Sequence, residues 1–483
     1  LYEPYKDDAS FTFPYWLQPE TRYIGPAWYE KQVDVPASGR YLLYLERVHW
    51  ESRVWVDGTY IGSNDSLSVP HRYELPFLEA GKVPLLIRVD NRMIWDVGPN
   101  AHSISDQTQG PWNGIVGTIA LIPLSDVSFG SVQVVPNPKA HSALVEVNVY
   151  NRLSHQVPIQ LKVTNADSSN RYVTLDPGSS RILHLQLTDL EDVLWDEYFP
   201  NLKEIGLQLL DEANTVIESK RLSIGLRSIE ARGKHIYVNG RRIFLRGTVE
   251  CCVFPKTGSP AMDEASWEHI FSQSKAYGLN HIRFHSWCPP QSAFTVADRM
   301  GIYLQVECPI WKNQGSKYDD NHDFDEWLFA ESKRIVDEYG NHPSFLFFAS
   351  GNEPDGRDKE VLGLWTAYWN QKDGRRLHTA ASGWPVLEEN SFQVVPEPRI
   401  QAWGEGLASR INARSPETMH DYTAICEQYT GPVVTHEMGQ WCVFPDFSEM
   451  DEYTGYLKPK NFEIFADILL RRGMASQAKA FLK

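Results

Sequence analysis

The sequence predicts three domains in series: an all-β sandwich over residues 1–124, an immunoglobulin-like β-sandwich over 125–228 and a (β/α)₈ barrel over 229–483. Three observations carry this. Short strand patterns between turn signals run as far as Leu226. Beyond Val238, helical and strand patterns alternate, as parallel βα units require. Two apolar runs in that second half, Phe345-Leu-Phe-Phe-Ala-Ser-Gly-Asn-Glu-Pro354 and Pro432-Val-Val-Thr-His-Glu-Met-Gly439, each carry a glutamate at the carboxyl end, where barrel enzymes keep their chemistry. At 483 residues the chain is too long for one core.

In the first domain, Arg40–Glu46, Arg53–Asp57 and Pro84–Asp90 are rich in β-formers, and Asp57-Gly58 supplies a hairpin turn. The second domain repeats the rhythm, with alternation over Ala143–Tyr150 and Arg181–Leu187; about 100 residues of such strands suit an immunoglobulin-like sandwich. Asn239-Gly240 is another hairpin signal, leading into Ile243–Gly247 as a candidate first barrel strand. Asp263 caps a helix with Trp267, Ile270, Phe271, Ser274 and Tyr277 on one face, stopped at Gly278.

Strands at Asn280–His285 and Ile302–Glu307 follow, separated by a helix that ends at Gly301. A helix from Asp325 then leads to the strand at Phe345. Leu377–Ala381 and Arg399–Trp403 read as strands five and six. Ser415-Pro416 starts a helix carrying Met419, Tyr422, Cys426 and Tyr429, before strand seven at Pro432. Seven strands can be counted and residues 461–483 read as helix, so the expectation is a barrel truncated before strand eight.

Composition narrows the function. Hydrophobic residues make up 42% and charged residues 22%, a globular balance. The 46 Lys and Arg against 62 Asp and Glu give a formal charge of −16, which repels a nucleic-acid backbone. The 16 tryptophans, 22 tyrosines and 21 phenylalanines supply flat faces that suit sugar rings, although barrel and sandwich cores also consume such residues. The six cysteines, at 251, 252, 288, 308, 426 and 442, lack Cys-x-x-Cys spacing and read as buried free thiols, with a disulfide as the alternative. No run approaches the roughly 18 apolar residues of a membrane span. Leu1-Tyr-Glu-Pro4 does not begin a signal peptide; a leader already removed would favour the periplasm or the exterior. Nothing in the sequence bars oligomerisation.

Retaining hydrolysis of a glycosidic bond needs one carboxyl group to protonate the leaving oxygen and another, about 5 Å away, to attack the anomeric carbon. Strands four and seven share one barrel mouth, so Glu353 and Glu437 can meet these roles as acid/base and nucleophile. Asn352 is placed to bond the hydroxyl beside the reacting carbon. Arg283, on strand two, is read as keeping the nucleophile ionised, with a structural barrel arginine as the alternative. His285 is a candidate for a sugar hydroxyl or a satisfied core histidine. Trp403 and Trp441 are candidate stacking walls, with Trp287 and Trp384 as weaker ones. His436, next to Glu437, should point to the opposite face of a continuing strand and is left out.

On these residues the chain resembles glycoside hydrolase family 2, which includes β-galactosidases, β-glucuronidases and β-mannosidases. Gly25-Pro-Ala-Trp-Tyr29 and Gln109-Gly-Pro-Trp-Asn-Gly-Ile-Val116 resemble its sugar-binding jelly roll. Leu194-Trp195, Pro200-Asn-Leu202, Gly225-Leu-Arg227 and Glu230 resemble its immunoglobulin-like sandwich and the entry to its TIM barrel. Asn352-Glu353 matches the acid/base motif and Glu437 the nucleophile position. The resemblance implies a retaining, exo-acting hydrolase that removes a terminal sugar from an oligosaccharide or glycoside without an organic cofactor. β-Galactosidase is the leading activity, with β-mannosidase, β-glucuronidase and arabinosidase as alternatives.

The chain departs from that pattern at defined places. Gly-x-Asn-x-His becomes Gly247-Thr-Val-Glu-Cys251, and Arg-x-Ser-His-Tyr-Pro becomes Arg283-Phe-His-Ser-Trp-Cys-Pro289, with His and Ser exchanged. Glu307 fits the acidic position after strand three and is expected to face substrate. Cys308-Pro309 follows it without a nearby histidine, so no metal is expected. The Asn-x-Lys signature for a uronic acid is not evident; Lys458-Pro-Lys-Asn461 is a distant substitute. Two rivals remain: a carbohydrate-binding protein that has kept the fold without turnover, and an endo-acting barrel hydrolase with an open groove.

Overall fold

The computed structural model describes residues 17–105, 112–396, 415, 419, 421–438, 445–478 and 480. Its first unit holds two antiparallel sheets. One has the strand order Pro26–Val35, Gly81–Asp90, Glu51–Val56, Thr59–Asn64, and the other His71–Glu74, Arg40–His49, Gly114–Leu124. Alternation along Arg40–His49 turns Tyr41, Leu43 and Leu45 inward. They share one core with Val35, Val54 and Ile87 of the other sheet. The hairpin at Asp57-Gly58 forms as its residues require, both with positive φ, 47° and 74°.

The second unit repeats the plan. A sheet of Ser180–Leu187, Ser142–Asn151 and Val127–Asn137 faces one of Arg171–Leu175, Val157–Thr164, Lys203–Leu210 and Val216–Ile224. Val145, Val147, Leu161, Leu185 and Leu207 are fully buried between them. Two buried side chains pin this unit to the barrel. Trp195 Nε1 donates to the Asp298 carbonyl at 2.7 Å, and Arg227 donates to the carbonyls of Pro343 and Phe345, both at 2.9 Å. Arg227 thus holds the starting end of the strand that leads to Asn352 and Glu353.

Five parallel strands form the barrel's main sheet, in the order Gly247–Glu250, His281–Phe284, Tyr303–Glu307, Phe345–Ala349 and Leu377–Thr379. A further parallel pair joins Gln393–Val395 to Val433–Thr435. The amide of Ser391, which donates to the His378 carbonyl at 2.8 Å, ties that pair to the fifth strand. Helices Glu264–Ala276, Gln291–Met300, His322–Tyr339 and Asp358–Lys372 alternate with the strands. Asp263 caps the first of these through the Ser266 amide.

Several expectations are corrected. The first barrel strand lies at Gly247–Glu250, not Ile243–Gly247, because Arg241–Ile243 is already committed to an antiparallel pairing with His235–Val238. Phe244 is then left exposed. Tyr277 falls just past its helix and points to solvent, leaving Trp267 and Phe271 as the buried face. The sixth described strand is Gln393–Val395, and the stretch 399–403 lies outside the described residues; of the helix expected from Ser415 to Tyr429, the described residues form only the single turn Thr423–Cys426.

After the seventh strand, Leu457–Lys458 pairs antiparallel with Gln18–Pro19, and helices occupy Lys460–Arg471 and Ala475–Ala478. No helix of the described residues is long and apolar enough to cross a membrane. All five cysteines in the described residues are free thiols; Cys252, Cys288 and Cys308 are buried as expected, whereas Cys251 and Cys426 are only partly so.

The first unit and the barrel share a core. Trp50, Leu67, Val97, Ala101 and Ile104 join Phe324, Trp327 and Tyr339 in one apolar cluster. Its polar rivet is Glu331, fully buried, which accepts from Ser66 Oγ at 3.0 Å and the Leu67 amide at 3.1 Å and pairs with Arg334 at 3.1 Å. A loop of the first unit is thereby pressed onto the barrel mouth. The amide of Trp311 donates to the Val97 carbonyl at 2.7 Å. A Cβ on Gly98 would stand 1.8 Å from the Trp311 carbonyl oxygen, so only glycine allows this approach.

Candidate active site

The carboxyl ends of strands two, three, four and seven converge. Strand two contributes Arg283 and then His285 and Ser286; strand three ends in Glu307; Gly351, Asn352 and Glu353 follow strand four; His436 and Glu437 follow strand seven. Glu353, Glu437 and Ser286 adopt positive φ of 33°, 50° and 49°, uncommon for residues with side chains and frequent where a site dictates the backbone. Glu353 is anchored by its amide, which donates to the Ser382 carbonyl at 2.8 Å, and Asn352 by its amide to the Ile310 carbonyl at 2.9 Å.

Arg283 is the hub. Its Nε donates to Glu307 Oε1 at 2.6 Å, one terminal nitrogen to Asn352 Oδ1 at 2.6 Å, and the other to Glu437 Oε1 at 3.4 Å. Burial alone would lower this guanidinium, but Glu307 and Glu437 outweigh it and hold it above its ordinary value. Glu307, expected to face substrate, is instead fully buried. Besides Arg283 it accepts from the Ser286 amide and Ser382 Oγ, each at 2.6 Å. Its charge is spent inside the protein, so its place is to position Arg283.

One oxygen of Glu437 collects three nitrogens: Arg283 at 3.4 Å, His285 Nε2 at 3.1 Å and His436 Nε2 at 3.4 Å. His436 Nε2 also lies 3.1 Å from Asn352 Oδ1 and 3.8 Å from Glu353 Oε1. The two glutamates are thus neighbours around a shared nitrogen. Because Arg283 can only donate, its contact fixes Oδ1 of Asn352 inward and leaves Nδ2 as the group turned the other way. That Nδ2 is buried and makes no hydrogen bond to the described residues.

His436 was missed from sequence because strand alternation predicts the opposite face. The strand ends at Thr435 and the positive φ at Glu437 breaks the alternation, so both neighbours reach the same mouth. His285 meets Glu437 and lies under a second ring: His102, from the first unit's loop, stacks on it with centroids 4.2 Å apart and planes 23° apart. Trp311 packs against both histidines. His102 carries no motif in the sequence; Trp311, a loop aromatic just after strand three, could have been suspected.

Trp287 is nearly fully buried among Phe254, Trp267 and Phe284 and belongs to the core, not to a sugar wall. Trp384 is partly exposed and donates to the Pro354 carbonyl at 2.5 Å, beside Glu353. Trp403 and Trp441 lie outside the described residues. Among the described residues, no three His, Cys, Asp or Glu side chains gather as a metal cage.

Residues 229–440 match the family model described as glycosyl hydrolases family 2, TIM barrel domain. A β-galactosidase large subunit of Latilactobacillus sakei is 26% identical over 365 residues, covering 70% of this chain and 55% of that protein. A putative β-glucuronidase of Formosa agariphila is 25% identical over 347 residues, covering 70% of this chain and 41% of that protein. Among solved structures, a GH2 β-galacturonidase from Eisenbergiella tayi bound to galacturonate superposes with a TM-score of 0.65 at 19% identity, covering 74% of this chain and 64% of that one. The chain therefore spans about half the length of the curated relatives it matches.

Proposed function

From a chain whose residues 229–440 match the TIM barrel domain of glycosyl hydrolases family 2, we propose a retaining, exo-acting glycoside hydrolase that works by double displacement on Glu437 and Glu353. The observation that carries this reading is the shared nitrogen of His436, which sets the two glutamates side by side at one mouth.

In the first step Glu437 attacks the anomeric carbon while Glu353 gives its proton to the leaving oxygen; in the second, Glu353 takes a proton from the water that hydrolyses the glycosyl-enzyme. Arg283, His285 and His436 all address one oxygen of Glu437, which favours the ionised carboxylate that attack requires. Asn352 turns its Nδ2 outward and would donate to the hydroxyl next to the reacting carbon. A buried donor gains most from a partner it has only when substrate is bound.

For the sugar we propose a neutral hexopyranoside, with β-galactoside first. Two buried cations on segments that lead to the mouth are already committed: Arg283 to Glu307 and Glu437, and Lys312, which follows Trp311, to Asp96 at 3.3 Å. A uronate carboxylate would find neither of them unpaired. The test is hydrolysis of a panel of aryl β-glycosides. Turnover of the galactoside above the glucuronide, galacturonide, mannoside and arabinoside supports the assignment. Preferred turnover of a uronide would transfer it to that class.

A further inference from the structure

We propose that Ser286 and the first unit's loop at His102 are positioning groups that lock His285 in the Nε2–H tautomer, so that it serves Glu437 as a neutral hydrogen-bond donor. The proposal rests on the assignment of Glu437 as nucleophile, but its first test does not depend on activity.

Donors and acceptors around the ring decide the tautomer. The backbone amide of His102 donates to Ser286 Oγ at 2.8 Å. Ser286 Oγ in turn lies 3.2 Å from His285 Nδ1, and His285 Nε2 lies 3.1 Å from Glu437 Oε1. A neutral imidazole has one N–H and one lone pair. If the proton sat on Nδ1, the Nε2 lone pair would face a carboxylate oxygen across 3.1 Å, an arrangement of two acceptors. With the proton on Nε2, the same contact is a charge-assisted hydrogen bond, and Nδ1 becomes the acceptor of the Ser286 hydroxyl. Ser286 can give that proton away because the His102 amide already occupies it as an acceptor. The chain of hydrogen bonds therefore runs in one direction, from His102 N–H to Ser286 O–H to His285 to Glu437.

A doubly protonated His285 would break this logic. Groups facing its ring come from every side: Arg283 on its own strand, Glu437 and His436 after strand seven, the His102 ring stacked beneath, and Trp311. Burial first, and then Arg283, push His285 well below its ordinary value; burial, His285 and Arg283 do the same to His102. Two imidazoles stacked 4.2 Å apart next to a guanidinium disfavour a further positive charge. The exchange of His and Ser in Arg283-Phe-His-Ser is what creates this device: it places the imidazole against Glu437 and the hydroxyl behind it. It also makes a loop of the first unit part of the barrel's chemistry.

The test is a ¹⁵N–¹H correlation spectrum of the histidine-labelled protein, with His285 assigned from the signal lost in His285→Gln. The expected result is an Nε2–H neutral tautomer across the range where an ordinary histidine titrates, about pH 5 to about pH 8. In Ser286→Ala only Glu437 still opposes the Nδ1–H form, so the share of that tautomer should rise measurably, and the glycosylation rate with an activated aryl glycoside should fall roughly tenfold. His285→Gln, which keeps a donor at the Nε2 position, should retain more of that rate than His285→Leu. An Nδ1–H or imidazolium signal in the wild-type protein overturns the proposal even if the chain hydrolyses nothing. So does a Ser286→Ala protein whose tautomer and rate are unchanged.

Discussion

Replacing Glu307 by Gln separates a buried strut from a sugar-binding carboxylate. The side chain is wholly inaccessible and its partner Arg283 is 7% exposed. The variant therefore leaves a guanidinium in the interior with its nearest counter-charge removed. Breaking a buried ion pair from one side costs about 3–5 kcal/mol. Gln keeps one oxygen but turns an NH₂ either toward both Arg283 Nε and Ser382 Oγ, which share Oε1 of Glu307, or toward the Ser286 amide on Oε2, all now at 2.6 Å. Only the Ser382 hydroxyl can turn to accept, so little of the penalty is recovered. For a barrel-sized unit this corresponds to a fall in melting temperature of roughly 6–20 °C. Thermal unfolding and aryl-glycoside kinetics on the same preparation provide the assay. The expectation is a large stability loss with kcat reduced, because Arg283 no longer holds Glu437 and Asn352, and with KM little changed. A variant as stable as the parent but with a sharply raised KM would refute the reasoning and return Glu307 to the substrate.

Two further outcomes are expected. Gly383→Ala sits at φ +99°, and its Cβ would stand 2.9 Å from Glu353 Cγ; displacing the acid/base should lower kcat by roughly 10²-fold. The loss should be greater for glycosides with poor leaving groups, which need the proton, and equal losses on all leaving groups would contradict this placement of Glu353. Burial lifts the Glu250 carboxyl to about 7, while in the unfolded chain it ionises near ~4.3. The folded state thus holds the extra proton between these values, and stability should fall as pH rises through that window. Glu250→Gln should remove that part of the slope in denaturation midpoints measured against pH; an unchanged slope would contradict it.

Much of the fold was legible because it follows from periodicity and turn chemistry. Alternation in Arg40–Glu46 and Ala143–Tyr150 marks strands buried on one face, and Asp57-Gly58 and Asn239-Gly240 supply the positive φ that hairpins need. Barrel strand four was equally clear, since Phe345–Ala349 is buried on both faces. The first barrel strand was misplaced because Arg241–Ile243 and Gly247–Glu250 are both short β-rich runs. Pairing partners distant in sequence decided between them. At the site, the residues found from sequence lie at strand ends. The residues missed depend on tertiary geometry: His102 arrives from a loop some 180 residues before His285, and His436 enters because the backbone turns after Thr435. The role of Glu307 was misread for the same reason, because the charge that neutralises it comes from a neighbouring strand.

The central claim, that Glu437 attacks the sugar, is tested most directly by trapping. The protein is incubated with the activated 2-deoxy-2-fluoro derivative of whichever aryl glycoside it turns over. Intact mass and peptide mapping then locate the label. The account predicts one glycosyl adduct per chain, carried by Glu437, formed more slowly in Ser286→Ala and absent in Glu437→Gln. An adduct on Glu353 or Glu250, or steady turnover of the parent glycoside with no adduct on any residue, would contradict it.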